Sequence, residues 1–300
     1  MSLEDTFKSW AQPLGEIESS RCENAERMIK DAINNDRELS NMDISVFTQG
    51  SYKSNTNVRQ GSDIDICVCL NSTFYYEFDK SLQPVNLADY CISPSNVNFG
   101  DFRNTIGTAL VNKFGQAGVR SGNKAYNVSE NSYRVNADVL PAFKHRYYTG
   151  IQHGIPRFIE GIGFITVDGI RINNWPEQVY TKGVKKNDST SRRYKSIVRI
   201  LKRLRDKMID DNYSAARDVN SFMLASMIWN IPDTYFGHQQ LYGDVREALA
   251  QLFNKTITDD ECREWVEVND IKYLFHFTQR WSRQGAHDFI GAAWNYLGLE

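Results

Sequence analysis

Apolar residues recur with two different periods along the first part of the chain. Near the N-terminus their spacing is three or four residues, at Leu3, Phe7 and Trp10 and again across residues 25–33, which predicts amphipathic helices. Residues 63–70 instead alternate, with apolar side chains at Ile64, Ile66, Val68 and Leu70. Alternation with period two predicts a strand whose two faces differ in polarity.

The pattern changes character near residue 175. Before this point, further strands are predicted over residues 43–48, 124–128 and 132–140, with a hairpin over 164–172. After Trp175-Pro176 the spacing becomes helical, over residues 190–208, 222–229, 241–252 and 286–297. We therefore expect an α+β fold with two lobes around a cleft. A mixed sheet flanked by helices would occupy residues 1–175, its N-terminal helix bridging both lobes, and a helical lobe residues 176–300.

Three local signals refine this outline. Residues 71–100 are rich in Asn, Ser and Pro, which predicts a surface excursion. Asp101 then stands where it can cap a following helix. Within the hairpin, Asp168-Gly169 favours a type I′ turn.

Composition narrows the class of protein. Apolar residues make up 41% and charged residues 24% of the 300, as in an ordinary globular protein, and the formal net charge is −2. This charge argues against a protein that grips long nucleic acid through bulk charge. Five scattered cysteines form no metal-binding spacing, and there is no signal-peptide pattern and no apolar run of about 20 residues that could span a membrane. We expect a cytoplasmic protein without a membrane partner.

Two carboxylates, Asp63 and Asp65, open the alternating strand and lie on the same face of it. Like charges at this distance repel each other and resist desolvation. A strand bears two such anions most readily where cations compensate them, so the pair predicts a site for divalent metal.

A third carboxylate, Asp138, lies in the predicted strand over residues 132–140, on the face opposite Val135 and Ala137. If this strand neighbours the one that carries Asp63 and Asp65, three carboxylates meet at one sheet edge. Three carboxylates are enough to hold two Mg²⁺ ions about 4 Å apart, the arrangement used for in-line phosphoryl transfer. Asp138 would then assist deprotonation of the attacking hydroxyl.

Upstream of the pair, Gln49-Gly50-Ser51 occupies the predicted turn after the first strand. A glycine in such a turn allows backbone N–H groups to approach phosphate oxygens closely, and the Ser51 hydroxyl adds a donor without bulk. The segment therefore predicts a phosphate cradle beside the metal site.

In this order, Gly50-Ser51, Asp63-Ile64-Asp65 and Asp138 resemble the nucleotidyltransferase superfamily of DNA polymerase β. Gln-Gly-Ser-Tyr at residues 49–52 and Asn-Ala-Asp-Val-Leu-Pro-Ala at 136–142 are more narrowly similar to the bacterial CD-NTases, cyclic-oligonucleotide synthases of anti-phage defence. The resemblance implies Mg²⁺, with Mn²⁺ as a possible substitute, and nucleoside triphosphates as substrates. It also implies an effector that binds the product and, in some operons, a partner that activates or modifies the synthase.

The resemblance extends into the second lobe. The segment at residues 172–176 resembles one near the family's base-binding pocket, so Asn174 could read a base edge; a turn-forming role for this Asn is an equal alternative. The segment from Tyr194-Lys195 to Lys202 resembles the family's basic helix, which implies Lys202 as a triphosphate contact. Ser221 would bind the same phosphates. Lys195 is a second candidate for the triphosphate contact, whereas Arg199 and Arg203 are expected on a solvated face.

Three functions remain open from the sequence. The first is a template-independent enzyme that condenses nucleoside triphosphates into a cyclic di- or trinucleotide. The second is a nucleotidyltransferase that makes linear oligonucleotides or adds a nucleotide to a small molecule, a protein or an RNA end. The third is a non-catalytic nucleotide-binding module.

Overall fold

The computed structural model describes residues 2–58, 63–82 and 85–299. These residues form two compact units, each built from several chain segments. One unit, here the sheet unit, comprises residues 15–53 and 63–177, and the other, the helical unit, comprises residues 2–14, 54–58 and 178–299. The main boundary lies close to the predicted one at 175/176, but residues 2–14 and 54–58 belong to the helical unit.

The sheet unit consists of a seven-stranded mixed sheet and helices. Its strands are β1 (Ile44–Gln49), β2 (Ile64–Phe78), β3 (Val119–Ser121), β4 (Tyr126–Val128), β5 (Ala137–Gln152), β6 (Ile155–Ile165) and β7 (Arg171–Asn174). The order is β1-β2-β5-β4-β3, with β6 on β5 and β7 on β6. Its helices are α2 (Glu16–Asn34), the four-residue α3 (Gly50–Lys53) and α4 (Phe99–Phe114).

The strands β2 and β5 form the centre of this sheet and are parallel to each other. Both are fully buried over most of their first half, because α2 and α4 pack against them. Parallel strands buried in this way read as nearly continuous apolar runs, as β2 does from Ile66 to Leu70.

Several local predictions need correction. The strand β2 continues to Phe78, so residues 71–78 are sheet and not part of a surface excursion. The predicted strand at 132–140 begins only at Ala137 and continues to Gln152. The cap of α4 is Asn98, whose side chain accepts hydrogen bonds from the N–H groups of Gly100 and Asp101; the predicted cap, Asp101, lies in the first turn.

The turn between β6 and β7 is also not the predicted type I′. A type I′ turn needs positive φ at both central residues, whereas Gly169 has φ 84° and Asp168 does not have positive φ. The N–H of Gly169 donates to the carbonyl of Thr166 at 2.9 Å, and the Thr166 N–H donates to the carbonyl of Ile170 at 2.9 Å. The turn is therefore closed at Gly169, the residue with the left-handed backbone angle.

The helical unit has its own core. Its helices are α1 (Leu3–Trp10), α5 (Pro176–Ser189, which starts at the unit boundary), α6 (Arg193–Asp210), α7 (Ser221–Trp229), α8 (Leu241–Lys255), the short α9 (Asp259–Cys262) and α10 (Arg283–Leu297). The helix α6 lies at the centre and packs against α1, α7, α8 and α10. No described helix is long and apolar enough to cross a membrane.

Candidate nucleotidyl-transfer site

The polar side chains of four neighbouring strands line up across the sheet unit. Asp65 of β2 is paired with Gln49 of β1 on one side and with Asp138 of β5 on the other. Asn127 of β4 is in turn paired with Asp138. Residues at paired positions share one face of a sheet, so these residues form a continuous polar row. The predicted adjacency of the two Asp-bearing strands is confirmed.

Asp63 lies just before β2, two residues ahead of Asp65. Partial burial and, secondarily, the negative charge of Asp138 raise the pKa of Asp63, while a hydrogen bond with the Asn136 side chain opposes this shift. Asp63 and Asp138 are therefore close enough for their negative charges to repel each other. A cation in this position would relieve it.

The Gly50-Ser51 turn lies against the second aspartate. Gly50 has the left-handed backbone angle φ 67°, and a Cβ at this position would lie 2.1 Å from Oδ2 of Asp65. Only glycine fits this close approach of backbone to carboxylate. The turn opens helix α3, which contains Ser51, so the sequence Gly-Ser places a backbone bend directly beside the carboxylates.

The carboxylates are not gathered into a closed cage. Over residues 2–58, 63–82 and 85–299, no three His, Cys, Asp or Glu side chains are close enough together to hold one metal ion. Mg²⁺ in nucleotide sites is bound through one or two carboxylates together with substrate phosphates and water. The paired Asp65 and Asp138, with Asp63 beside them, fit that donor set because all their donors are hard oxygen atoms.

Two residues of this site were missed in the sequence. Asn127 donates from Nδ2 to Oδ1 of Asp138 at 3.2 Å and so orients this carboxylate. Asn136 interacts with Asp63 and also accepts from the N–H of Glu130 at 2.8 Å. A signal for Asn127 exists, since it stands between the apolar Tyr126 and Val128 of a strand, but only the register with β5 connects it to Asp138.

The structure places the predicted base-reading residue in the same unit. Asn174 is the exposed last residue of β7, paired with Ile162 of β6. Gly161 packs closely against this strand end, because a Cβ on Gly161 would lie 2.5 Å from the Asn174 carbonyl and 2.8 Å from the ring of Trp175. Asn174 is therefore part of the sheet and not of a free turn.

In the helical unit, Lys202 is only 4% exposed. Its Nζ donates to the carbonyl of Thr56 at 2.9 Å and contacts the Thr56 hydroxyl at 3.3 Å. Ser221 opens α7, and its hydroxyl accepts a hydrogen bond from Arg205 at 2.7 Å. A hydroxyl with one accepted bond still has a donor proton. The phosphate-binding roles of Lys202 and Ser221 therefore stay predictions.

The expectation that Arg199 and Arg203 lie on a solvated face is wrong. Arg199 is buried, and Arg203 is half-buried with its NH1 donating to the carbonyl of Ser9 at 2.6 Å. Arg199 donates to two carbonyls of the same unit. These cations replace solvent with main-chain oxygens, which a count of charges along a helix does not reveal.

Comparison with known proteins agrees with this geometry. Residues 29–105 match the family model described as a nucleotidyltransferase domain. Residues 181–298 match the model described as the cGAS/DncV-like nucleotidyltransferase C-terminal helical domain. The first match contains the Gly50-Ser51 turn, Asp63 and Asp65. By its fold and its site, the protein is a nucleotidyltransferase.

Curated and solved relatives narrow the class. The cyclic dipyrimidine nucleotide synthase CdnE of Legionella pneumophila is 43% identical over 297 residues, covering 98% of this chain and 97% of the relative. A structure of the Elizabethkingia meningoseptica CdnE cyclic dinucleotide synthase with GTP and Apcpp is 30% identical, with a TM-score of 0.80 and 99% of each chain covered. One of the Rhodothermus marinus CdnE c-UMP-AMP synthase with Apcpp and Upnpp has 25% identity, a TM-score of 0.84, and 98% and 96% coverage. The chain belongs to the cGAS/DncV-like nucleotidyltransferase family, the CD-NTases.

Proposed function

We propose that this protein condenses two nucleoside triphosphates into a cyclic dinucleotide and releases pyrophosphate at each bond. The observation that carries the proposal is the polar row in which Asp65 and Asp138 are paired across parallel strands, with the Gly50 backbone directly against Asp65. Carboxylates beside a glycine turn are the parts that nucleotidyl transfer requires: ligands for a cation and a seat for the phosphates. Family membership and full-length relatives that are cyclic dinucleotide synthases support it.

Each bond forms by the same substitution. A ribose hydroxyl of one nucleotide attacks the α-phosphorus of the other, a P–O bond forms, and the bond to the β-phosphate breaks with departure of pyrophosphate. The linear intermediate then offers its remaining triphosphate to the second ribose hydroxyl, which closes the ring. One site serves both steps because the two reactions differ only in which phosphate is bound.

Asp63, Asp65 and Asp138 are the residues that would hold divalent metal, Mg²⁺ in two positions, with Mn²⁺ able to replace it. When bound, the metal lowers the pKa of the attacking hydroxyl and offsets charge that develops on the phosphorus. Asp138 accepts the proton of the hydroxyl, and Asn127 keeps its carboxylate oriented through the 3.2 Å hydrogen bond. Metal binding requires these side chains to turn toward one another.

The nucleotide is held by groups of different chemistry. Gln49, Gly50 and Ser51 bind phosphate oxygens through the backbone N–H groups and the Ser51 hydroxyl. Lys202 and Ser221 supply the charge and the donor for the triphosphate. Asn174 reads a base edge, because its amide offers both a donor and an acceptor. Pyrimidine triphosphates are the first substrates to test, since the relative at 43% identity is a cyclic dipyrimidine nucleotide synthase.

The product experiment separates the open functions. The protein is incubated with all four nucleoside triphosphates, with Mg²⁺ or Mn²⁺, and the products are treated with phosphatase and weighed by mass spectrometry. A phosphatase-resistant cyclic dinucleotide is expected. Phosphatase-sensitive products would indicate linear oligomers, and no product under any condition would favour transfer to another acceptor or a binding module.

The carboxylate assignment has its own variants. Asp63→Asn with Asp65→Asn, and separately Asp138→Asn, are expected to reduce turnover by about a thousandfold or more, because each removes charge that offsets the transition state. Asp31→Asn, an exposed carboxylate of α2 in the same unit, is the matched control and is expected to retain activity. Undiminished product from the double variant would refute the metal site.

The same proposal has a cellular part. By family membership we expect the cyclic product to act as a second messenger in anti-phage defence, with an effector that binds it. Pull-down of proteins on the immobilised product, with a linear dinucleotide of the same bases as control, tests this. Retention of the same proteins on both supports would contradict it.

A further inference from the structure

A short segment of the helical unit directly follows the phosphate cradle in the sequence. Residues 54–58, here the strap, belong to the helical unit, while the preceding residues 15–53 belong to the sheet unit. The strap begins at Ser54, immediately after α3, which contains Ser51. The strap is therefore joined to the C-terminal end of the cradle helix by a single peptide bond.

The cradle helix α3 has only four residues, and a helix of this length is not stable by itself. It packs against β1 and β2 of the sheet. It lies between two left-handed residues, Gly50 with φ 67° and Asn55 with φ 53°, so a bend in the backbone flanks it on each side. On its N-terminal side, β1 is held by the sheet, where Gln49 is paired with Asp65. On its C-terminal side the strap follows directly.

Two cations of α6 hold the strap by its carbonyl oxygens. Arg199 is 7% exposed, and its NH1 donates to the carbonyl of Asn55 at 2.5 Å. Its Nε donates at 2.6 Å to the carbonyl of Ala11, just after α1. Lys202 donates to the carbonyl of Thr56, which is itself buried. One planar guanidinium thus connects two chain segments that lie far apart in the sequence.

Burial of the charged Arg199 side chain has an energetic cost that apolar packing does not offset. Burial first, and then the charge of Arg203, lower the pKa of Arg199 to about 10, so it remains protonated at neutral pH. A buried charge is costly unless hydrogen bonds compensate it, and here the carbonyls of Ala11 and Asn55 accept them. The guanidinium supplies a rigid fork of donors that fixes direction as well as distance.

We propose that Arg199 is a positioning residue for nucleotidyl transfer, which acts by holding the strap and hence the Gly50-Ser51 cradle. The inference rests on the proposed function for its catalytic part. Its structural part, that Arg199 orders the strap, stands independently of any activity. The role is indirect: Arg199 works through the backbone of Asn55.

Two variants test the fork. Arg199→Lys keeps the charge but offers no planar pair of donors, and Arg199→Met removes both. Lys207→Met on the exposed side of α6 is the control for charge, and Ile200→Val in the core of the same helix is the control for general loosening. For each full-length variant, hydrogen–deuterium exchange of residues 50–58, the melting temperature, and kcat and KM for the nucleotide are measured.

For Arg199→Lys we expect faster exchange in the strap and a fall in kcat of about tenfold or more, with KM changed by less than about threefold, because the bound groups are misplaced rather than lost. Arg199→Met should show a larger fall in kcat. Neither control should speed exchange in the strap or lower kcat, even where Ile200→Val lowers the melting temperature equally. Unchanged strap exchange in Arg199→Met would overturn the structural part. Faster exchange with an unchanged kcat would overturn the positioning role, and an inactive wild-type protein would instead refute the proposed function.

Discussion

Stability and function place opposing requirements on the carboxylates of the candidate site. Asp63 carries a raised pKa, caused first by partial burial and then by the charge of Asp138. A carboxyl group of this kind favours the folded state while protonated, and that contribution is lost as the pH rises through its folded pKa. At neutral pH the ionised Asp63 therefore destabilises the protein without metal.

We predict that Asp63→Asn raises the melting temperature in metal-free buffer at pH 7.5. The gain should shrink as the pH falls and vanish below the ordinary value of 3.8, where both proteins carry a neutral side chain. Thermal melts with a chelator across this range measure it, with Asp31→Asn on α2 as the control. A lower melting temperature at pH 7.5 would show that the bond with Asn136 outweighs the repulsion.

Gly50 makes a second prediction at this scale. Gly50→Ala forces a left-handed alanine, which costs about 1–2 kcal/mol, and drives a methyl group toward Asp65. We expect lower stability in urea and a loss of most activity. Gly154→Ala is the matched control, since Gly154 has φ 75° and no atom within 4 Å of its added Cβ. If both variants lose activity equally, the approach of Gly50 to Asp65 has no catalytic importance.

Among the elements, the central strands follow from the sequence and the cations of α6 do not. Alternation predicted that Asp63 and Asp65 lie on one face. Asp138 lies beside them because its strand, β5, is paired with β2 in the buried centre of the sheet. The spacing of Arg199 and Lys202 along α6 predicted only a shared stripe. In the structure these two side chains are buried and donate hydrogen bonds to the carbonyls of Ala11, Asn55 and Thr56. Main-chain carbonyls are present at every residue, so the sequence does not reveal which of them act as acceptors.

The start of α4 gives a prediction at the scale of one helix. Asn98 accepts hydrogen bonds from the N–H groups of Gly100 at 2.7 Å and Asp101 at 3.2 Å. Asn98→Ala should lower the free energy of unfolding by about 1 kcal/mol. Asp101→Ala should change it less, since the lost interaction with the helix dipole is offset by the better helix propensity of alanine. Urea denaturation decides, and an equal or larger effect of Asp101→Ala would restore Asp101 as the cap.

For the whole molecule, charge governs which polyanions can bind. The net charge is −2, and Arg199 and Lys202, two of the cations concentrated on α6, are buried against main-chain oxygens. A surface of this kind attracts long phosphate backbones weakly. The protein instead suits mononucleotides, whose phosphates are bound one site at a time.

We predict that a fluorescent 20-base-pair duplex binds with a Kd weaker than about 10⁻⁵ M at 150 mM salt, in the weak part of the range for non-specific binding. Addition of the unlabelled duplex should leave product formation unchanged. Fluorescence anisotropy and the product assay measure the two quantities. Tighter binding with a steep dependence on salt would reveal a nucleic-acid surface.

The helical unit is assembled from distant parts of the chain, and this decides the order in which the protein can fold. The helix α1 packs against α6 and α8, and Glu4 accepts a hydrogen bond from the N–H of Tyr242 at 2.9 Å. An eight-residue helix is not stable alone. During synthesis, residues 3–10 leave the ribosome long before residue 242, so α1 gains its native packing only after α6 and α8 have been made.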